Sequence, residues 1–224
     1  MKTSSLLRRC KWYFIGIAVI LFASLILLLI LGKSANFISV NSYHPFLLNV
    51  FFINFTFVGD GIFALSLVTV YLVYFKRKEQ GLAFFYSFLI SGIGVQIIKN
   101  LVHAPRPKLF FESGQYLHFI DGVSLSNNAS FPSGHTATAF ALATVLVLFM
   151  KDRSWQFLLL TGAVLVGYSR IYLAQHFLSD VMIGALMGTI SAVTAVVMVK
   201  KKSRFLTIRK GGIFYRNSRE ILYN

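Results

Sequence analysis

Apolar residues in this chain come in long runs separated by short polar clusters. Six runs stand out, at about residues 12–31, 55–75, 82–98, 134–150, 155–168 and 177–199. A helix needs about 20 apolar residues to cross the bilayer core. None of the runs alternates strictly between apolar and polar, as a barrel strand would. The pattern predicts an all-α, polytopic membrane protein built as a six-transmembrane-helix bundle. The first run is longer than the apolar core of a cleaved signal peptide, and Lys33 stands where a cleavage site wants a small residue. We therefore expect that run to be retained as a span. Between the third and fourth runs, a polar stretch with Pro105, Pro107 and several Ser, Asn and Gly leads to Pro132.

Composition agrees with the pattern. The 224 residues are 56% hydrophobic and only 13% charged, against about 25% charged in a soluble domain. The net charge of +15 could suggest nucleic acid. The basic residues, however, sit in short clusters between apolar runs, as in loops held on the cytoplasmic side of a membrane. Lys and Arg divide unequally between the two loop sets. One side collects four before the first run, three at Lys76, Arg77 and Lys78, Lys151 and Arg153, and eight from Lys200 onward. The other side holds Lys33, Lys99, Arg106, Lys108 and Arg170. Both termini are expected in the cytoplasm, with the sparse side outside. The lone Cys10 excludes an internal disulfide and a cysteine-rich metal site. No phosphate-binding glycine loop, zincin motif or dinucleotide fingerprint is present.

The chemistry gathers on the sparse side. Residues 169–180 place Arg170, His176 and Asp180 inside an apolar sequence. On a helix His176 and Asp180 would share one face, one turn apart. The aspartate can then fix the imidazole tautomer and leave the other nitrogen as base, ligand or nucleophile. Arg170 offers a planar fork of donors to a phosphate or carboxylate. Such charges at the end of a span are costly and point to a functional site. Two further pieces reach the same face by topology: Lys99 to Pro107, and Pro132-Ser133-Gly134-His135 at the start of the fourth run. Taken alone, Lys99 reads as a snorkelling lysine and Ser133 and Gly134 as helix caps, while for the His–Asp pair a structural hydrogen bond is the lesser alternative. Together they supply cations, a helix N-terminus able to bind an anion and two histidines. That is the equipment of phosphoryl transfer. Carboxylates for Mg²⁺ are scarce, so a metal-free histidine nucleophile is the simplest fit.

The three pieces read KxxxxxxRP, PSGH and SRxYLxxHxxxD in this order, with every position filled. They resemble the signature of the type-2 phosphatidic acid phosphatases, the lipid phosphate phosphatase superfamily, and the six-span layout resembles its membrane branch. The likeness covers roughly half the chain. The resemblance implies one integral membrane domain over 1–224, with its signature core at about 82–199. It implies that His176 attacks phosphorus and forms a phosphohistidine, that Asp180 orients it, and that His135 protonates the leaving oxygen and then activates water. Lys99, Arg106 and Arg170, with Ser133 and the Gly134 amide, would hold the phosphate oxygens. No metal and no cofactor are implied. The expected partners are a lipid phosphate substrate and membrane lipids, without nucleic acid. The expected location is the inner (cell) membrane with the site on its outer face. Prenyl diphosphates, phosphatidylglycerophosphate, phosphatidate and lipid A phosphates all fit, and the sequence does not choose among them. Alternatives are a lipid phosphotransferase, a haloperoxidase sharing the signature, and a non-catalytic lipid-binding or transport protein with an anion pocket. Six apolar spans oppose the haloperoxidase, and two intact histidines oppose mere binding.

Other polar residues carry weaker claims. Asp60, between Gly59 and Gly61, reads as a cap or packing contact, or as support for the site. His103, His44 and His118 read as loop or interface histidines. Glu112 and Asp121 could touch a head group. Gly184 and Gly188 permit close helix packing, and the basic tail reads as a topology anchor that touches anionic lipid. The oligomeric state is not legible.

Overall fold

A computed structural model describes residues 8–111, 119–120, 129–150, 152 and 154–220, with side chains through Ser203. Its helices are α1 (Lys11–Val40), α2 (Phe46–Phe55), α3 (Gly61–Thr69), α4 (Lys78–Val102), the short α5 (Pro107–Phe110), α6 (Gly134–Phe149), α7 (Ser154–Tyr172) and α8 (Leu178–Glu220). A 3₁₀ turn, Thr56–Gly59, joins α2 to α3, and a π turn, Val70–Tyr74, follows α3. No strand occurs among the described residues. Glu112, His118 and Asp121 lie outside them.

Helix α6 is the core. It is apolar all round and buried at nearly every position, with small residues Ala137, Ala139, Ala141 and Ala143 among them. A helix of that kind belongs inside a protein. Helices α4, α7 and α8 wrap it. A Cβ at Gly184 would stand 2.6 Å from the Ser133 carbonyl oxygen, and one at Gly188 would collide with the Ala137 carbonyl. The glycine pair thus lets α8 lie directly on the backbone of α6, as its spacing predicts. Thr144 Oγ1 of α6 meets the Tyr13 hydroxyl of α1 within the bundle, at 2.9 Å.

Helix α1 lies outermost. Phe22, Leu29 and Ile30 are among its exposed apolar side chains, a surface suited to lipid and not to water. The helix that carries the first run continues to Val40, with non-helical backbone at Gly32 (φ 71, ψ 176) just past the predicted end at Leu31. The second run departs more from expectation. It starts earlier, at Phe46, and bends by 55° at Asp60. Asn49 hides the early start from the apolar pattern; its Oδ1 accepts a hydrogen bond from the Tyr172 hydroxyl at 2.6 Å. The bend follows from Asp60, whose backbone is extended and whose side chain caps α3 by accepting the Ile62 amide.

Three helical segments, Lys11–Val40, Lys78–Phe110 and Leu178–Ser203, are long and apolar enough to cross a membrane. The bent pair Phe46–Gly59 and Gly61–Tyr74 makes a fourth if counted as one. The chain is an all-helical membrane protein with three to four such segments. The fourth and fifth expected spans appear as α6, with 16 residues, and α7, with 19, and neither is among those segments. Sixteen residues rise only about 24 Å.

Candidate active site

Four helix ends meet at one end of the bundle: the C-termini of α4 and α7 and the N-termini of α6 and α8. The connections between them hold the three sequence motifs, and hydrogen bonds join the segments that carry them. The Ser130 amide donates to the Ala104 carbonyl at 2.9 Å and the Ser133 amide to the Asp180 carbonyl at 3.0 Å. Arg106 Nη1 donates to Gln175 Oε1 at 2.6 Å. Residues far apart in sequence are therefore fixed in one cluster.

The end of α7 shapes the last motif. Ala174 adopts φ 54. The Ala174 amide donates to Ile171 O, and the Gln175 amide to Arg170 O at 2.9 Å. This is a Schellman ending, with alanine at the left-handed position usually held by glycine. The His176 amide also reaches Arg170 O, at 3.1 Å. One carbonyl thus fixes the path from the arginine to the histidine.

The structure corrects one expectation here. His176 and Asp180 do not share a helix, since His176 lies in the turn before α8 begins at Leu178. The left-handed Ala174 ends α7 and reverses the chain, and the new helix needs a residue before it as cap. Asp180, in the first turn of α8, accepts the Phe177 amide at 3.0 Å through Oδ2. The carboxylate thereby caps its own helix while facing the imidazole. His176 Nδ1 stands 3.5 Å from Asp180 Oδ2. Ser130 Oγ donates to the same oxygen at 2.5 Å and lies 3.5 Å from Nδ1. Both members of the pair are buried, with side chains 2% and 3% exposed. Burial first, and then the arginine charges, push the His176 imidazole down to about 4, against the pull of the Asp180 hydrogen bond. The ring is neutral at pH 7, and with Nδ1 facing the carboxylate, Nε2 is the nitrogen left for chemistry.

The cations surround this pair. Arg170 is buried, and its Nη1 donates to Thr56 Oγ1 at 2.7 Å. Its Nε is buried without a hydrogen-bond partner among the described residues. A buried donor left unmatched costs about 1–3 kcal/mol, and an oxyanion would satisfy it. Lys99, near the end of α4, lies within electrostatic reach of Arg106, Arg170 and Asp180. His135, in the first turn of α6, feels Arg170, His176, Lys99 and Arg106. Ser133 caps α6; its Oγ accepts from Thr136 Oγ1 at 2.9 Å and from the Thr136 amide at 3.4 Å. All eight sequence candidates therefore lie at this end of the bundle.

Sequence reasoning missed Thr56, Ser130 and Gln175, which hold Arg170, Asp180 and Arg106. Their residue types are ordinary in turns and helix ends, and only the fold brings them to their partners. It weighed Asp60 as either a cap or a support. The structure gives it both positions, with Oδ1 on the Ile62 amide and Oδ2 3.7 Å from His135 Nε2. His103 ends α4 at φ 47 and faces solvent. His44 Nε2 meets the Asn41 carbonyl at 3.0 Å, and its ring packs on Tyr172 with centroids 4.4 Å apart. Among the described residues, no three His, Cys, Asp or Glu side chains gather as a metal site.

The chain is similar to known proteins over the part that forms this site. Probable diacylglycerol pyrophosphate phosphatase 1 of Schizosaccharomyces pombe is 31% identical over 142 residues, 51% of this chain and 50% of that protein. Undecaprenyl-diphosphatase of Sulfolobus acidocaldarius is 32% identical over 124 residues, 54% and 57% of the two chains. The chain thus spans about half the length of these curated relatives. The crystal structure of Aquifex aeolicus LpxE superposes with a TM-score of 0.65 at 31% identity, covering 73% of this chain and 94% of that one. A family model described as PAP2 superfamily matches residues 80–204, the stretch carrying all three motifs. With more than half its length matched, the chain belongs to the PAP2 superfamily.

Proposed function

We propose that this protein is a membrane lipid phosphatase. It hydrolyses a phosphomonoester or diphosphate on a lipid through a phosphohistidine on His176. One observation carries the reading: a buried imidazole tethered at Nδ1 lies at the same end of the bundle as a buried arginine whose Nε lacks a partner among the described residues. Names of similar proteins, a diacylglycerol pyrophosphate phosphatase and an undecaprenyl-diphosphatase, support a lipid phosphate as substrate.

The chemistry follows from the positions. Nε2 of neutral His176 attacks phosphorus as the bond to the lipid oxygen breaks, and His135 gives that oxygen a proton. Asp180 stabilises the charge that develops on the His176 ring. Lys99, Arg106 and Arg170 neutralise the equatorial oxygens. The α6 N-terminus contributes the Gly134 amide, and Ser133, which already accepts from Thr136, has its own hydroxyl proton to give. Water then loses a proton to His135 and attacks phosphorus, and the P–N bond breaks to release phosphate. No step calls on a metal ion.

The proposed setting is a single domain of six spans in the cell membrane, with both termini cytoplasmic and the site on the outer face. Two features support it: the strong excess of Lys and Arg in the other loop set, and the alternation of α4, α6, α7 and α8 ends at the site. The test is a phosphate-release screen of purified protein over prenyl diphosphate, phosphatidylglycerophosphate, phosphatidate and lipid A phosphate, with chelator present. Release from at least one class, abolished in His176→Ala, is the expected result. Silence on all four, or wild-type turnover in that variant, overturns the proposal.

A further inference from the structure

The proposed reaction uses two imidazoles, and the motifs give a carboxylate to only one of them. His176 has Asp180. For His135 the carboxylate comes from a segment that carries no motif. Asp60 occupies the bend between the Thr56–Gly59 turn and α3. Its Oδ1 is held by the Ile62 amide at 2.8 Å, which presents Oδ2 at 3.7 Å from His135 Nε2. Gly59 allows the approach: a Cβ there would stand 2.6 Å from the His135 carbonyl oxygen and 2.7 Å from Val166 Cγ1. The backbone of the bend therefore rests directly against the start of α6. The two side chains are 34% and 32% exposed, at an open edge of the site and not in its packed floor. Capping alone does not account for a charge here, because asparagine or serine caps as well and an ionisable group at membrane depth is costly.

We infer that Asp60 is a positioning residue for His135, pairing with its Nε2–H so that Nδ1 faces the reacting oxygens and a negative charge is set against the cations that oppose an imidazolium. The inference rests on the phosphatase reading. In the first step the imidazolium gives its Nδ1 proton to the lipid oxygen as the P–O bond breaks and the bond from phosphorus to His176 Nε2 forms. In the second, Nδ1 takes a proton from water as the water oxygen attacks phosphorus and the P–N bond breaks. Asp60 stays charged throughout. The groups that face His135 are Arg170 of α7, His176 before α8, Lys99 of α4 and Arg106 after it. These are cations or a neutral ring, and Asp60 supplies the negative charge that an imidazolium favours.

Asp60→Asn separates the two roles, because asparagine keeps the cap and loses the charge. On a lipid substrate that the wild type hydrolyses, kcat should fall about 10- to 100-fold, a part of the roughly 10²–10⁴-fold that acid–base assistance contributes, with KM little changed. The alkaline limb of the kcat profile, where His135 loses its proton, should move to lower pH. In a His135→Ala background the same substitution should add nothing. An Asp60→Asn protein with wild-type kcat and pH profile overturns the inference, as does one whose loss is equally large without His135. A second readout is independent of turnover: ring NMR of His135 should show its titration moving to lower pH in Asp60→Asn. An unmoved titration overturns the pairing, whereas a wild type inert on every lipid overturns the phosphatase reading instead.

Discussion

In the proposed reaction Arg170 divides its donors between holding itself and holding phosphate. Nη1 is committed to Thr56 at 2.7 Å, and Nε is buried and unmatched among the described residues. Lysine at this position would keep the charge and lose the fork. Arg170→Lys should therefore lower kcat by roughly 10²-fold, the loss typical of one transition-state donor. Steady-state kinetics on the lipid found in the screen checks this, and a variant within threefold of wild type contradicts it. His176 makes a prediction in pH. Its ring titrates near 4 in the folded protein against an ordinary 6.5, chiefly because it is buried. The unfolded chain therefore binds a proton that the folded chain refuses, and stability falls as pH drops through that window. Thermal unfolding in detergent should show the wild type losing more stability than His176→Ala between pH 6.5 and 4. Parallel curves would place the ring in a more hydrated setting than its burial implies.

At the level of elements, the glycines of α8 are set by the backbone of α6. A side chain at Gly188 meets the Ala137 carbonyl, which is rigid main chain and cannot swing aside. Overpacking of this kind costs about 1–3 kcal/mol. Gly188→Leu should lower the melting temperature and, by prising α8 from α6, separate Asp180 from Ser133. Differential scanning fluorimetry with parallel turnover assays tests both effects, and a fully stable, fully active variant would contradict the packing. The same pair of helices shows what the sequence discloses. Long apolar runs and small-residue spacing are properties of one segment, so α1, α4 and α8 were legible, as was the close approach at Gly184 and Gly188. The three motifs were legible too, because each is local. The bend at Asp60 and the turn holding His176 were not. Each is decided by a cap or a left-handed residue that the apolar pattern does not register. Thr56 and Ser130 have partners 114 and 50 positions away, a distance only the fold can close.

Across the whole molecule, the count of spans turns on what surrounds each helix. Helix α6 is about 24 Å long, short for a bilayer core of about 30 Å. It is nonetheless enclosed by α4, α7 and α8 and touches little but protein. A helix screened in this way has no lipid thickness to match, so its shortness does not oppose a crossing. Direction then follows from the chain: α4 arrives at the site, α6 leaves it, α7 returns and α8 leaves again. If the proposed topology holds, Lys108 lies outside and Lys201 in the cytoplasm. Cys10 is fully buried, so the wild type provides a near-silent background for labelling. In intact cells a membrane-impermeant maleimide should label Lys108→Cys and spare Lys201→Cys until the membrane is opened. The reverse pattern would put the site on the cytoplasmic face, and its substrates would then have to be lipids of the inner leaflet. Labelling of both would mean an odd number of crossings between the two positions is wrong, and α6 or α7 would have to be withdrawn as a span.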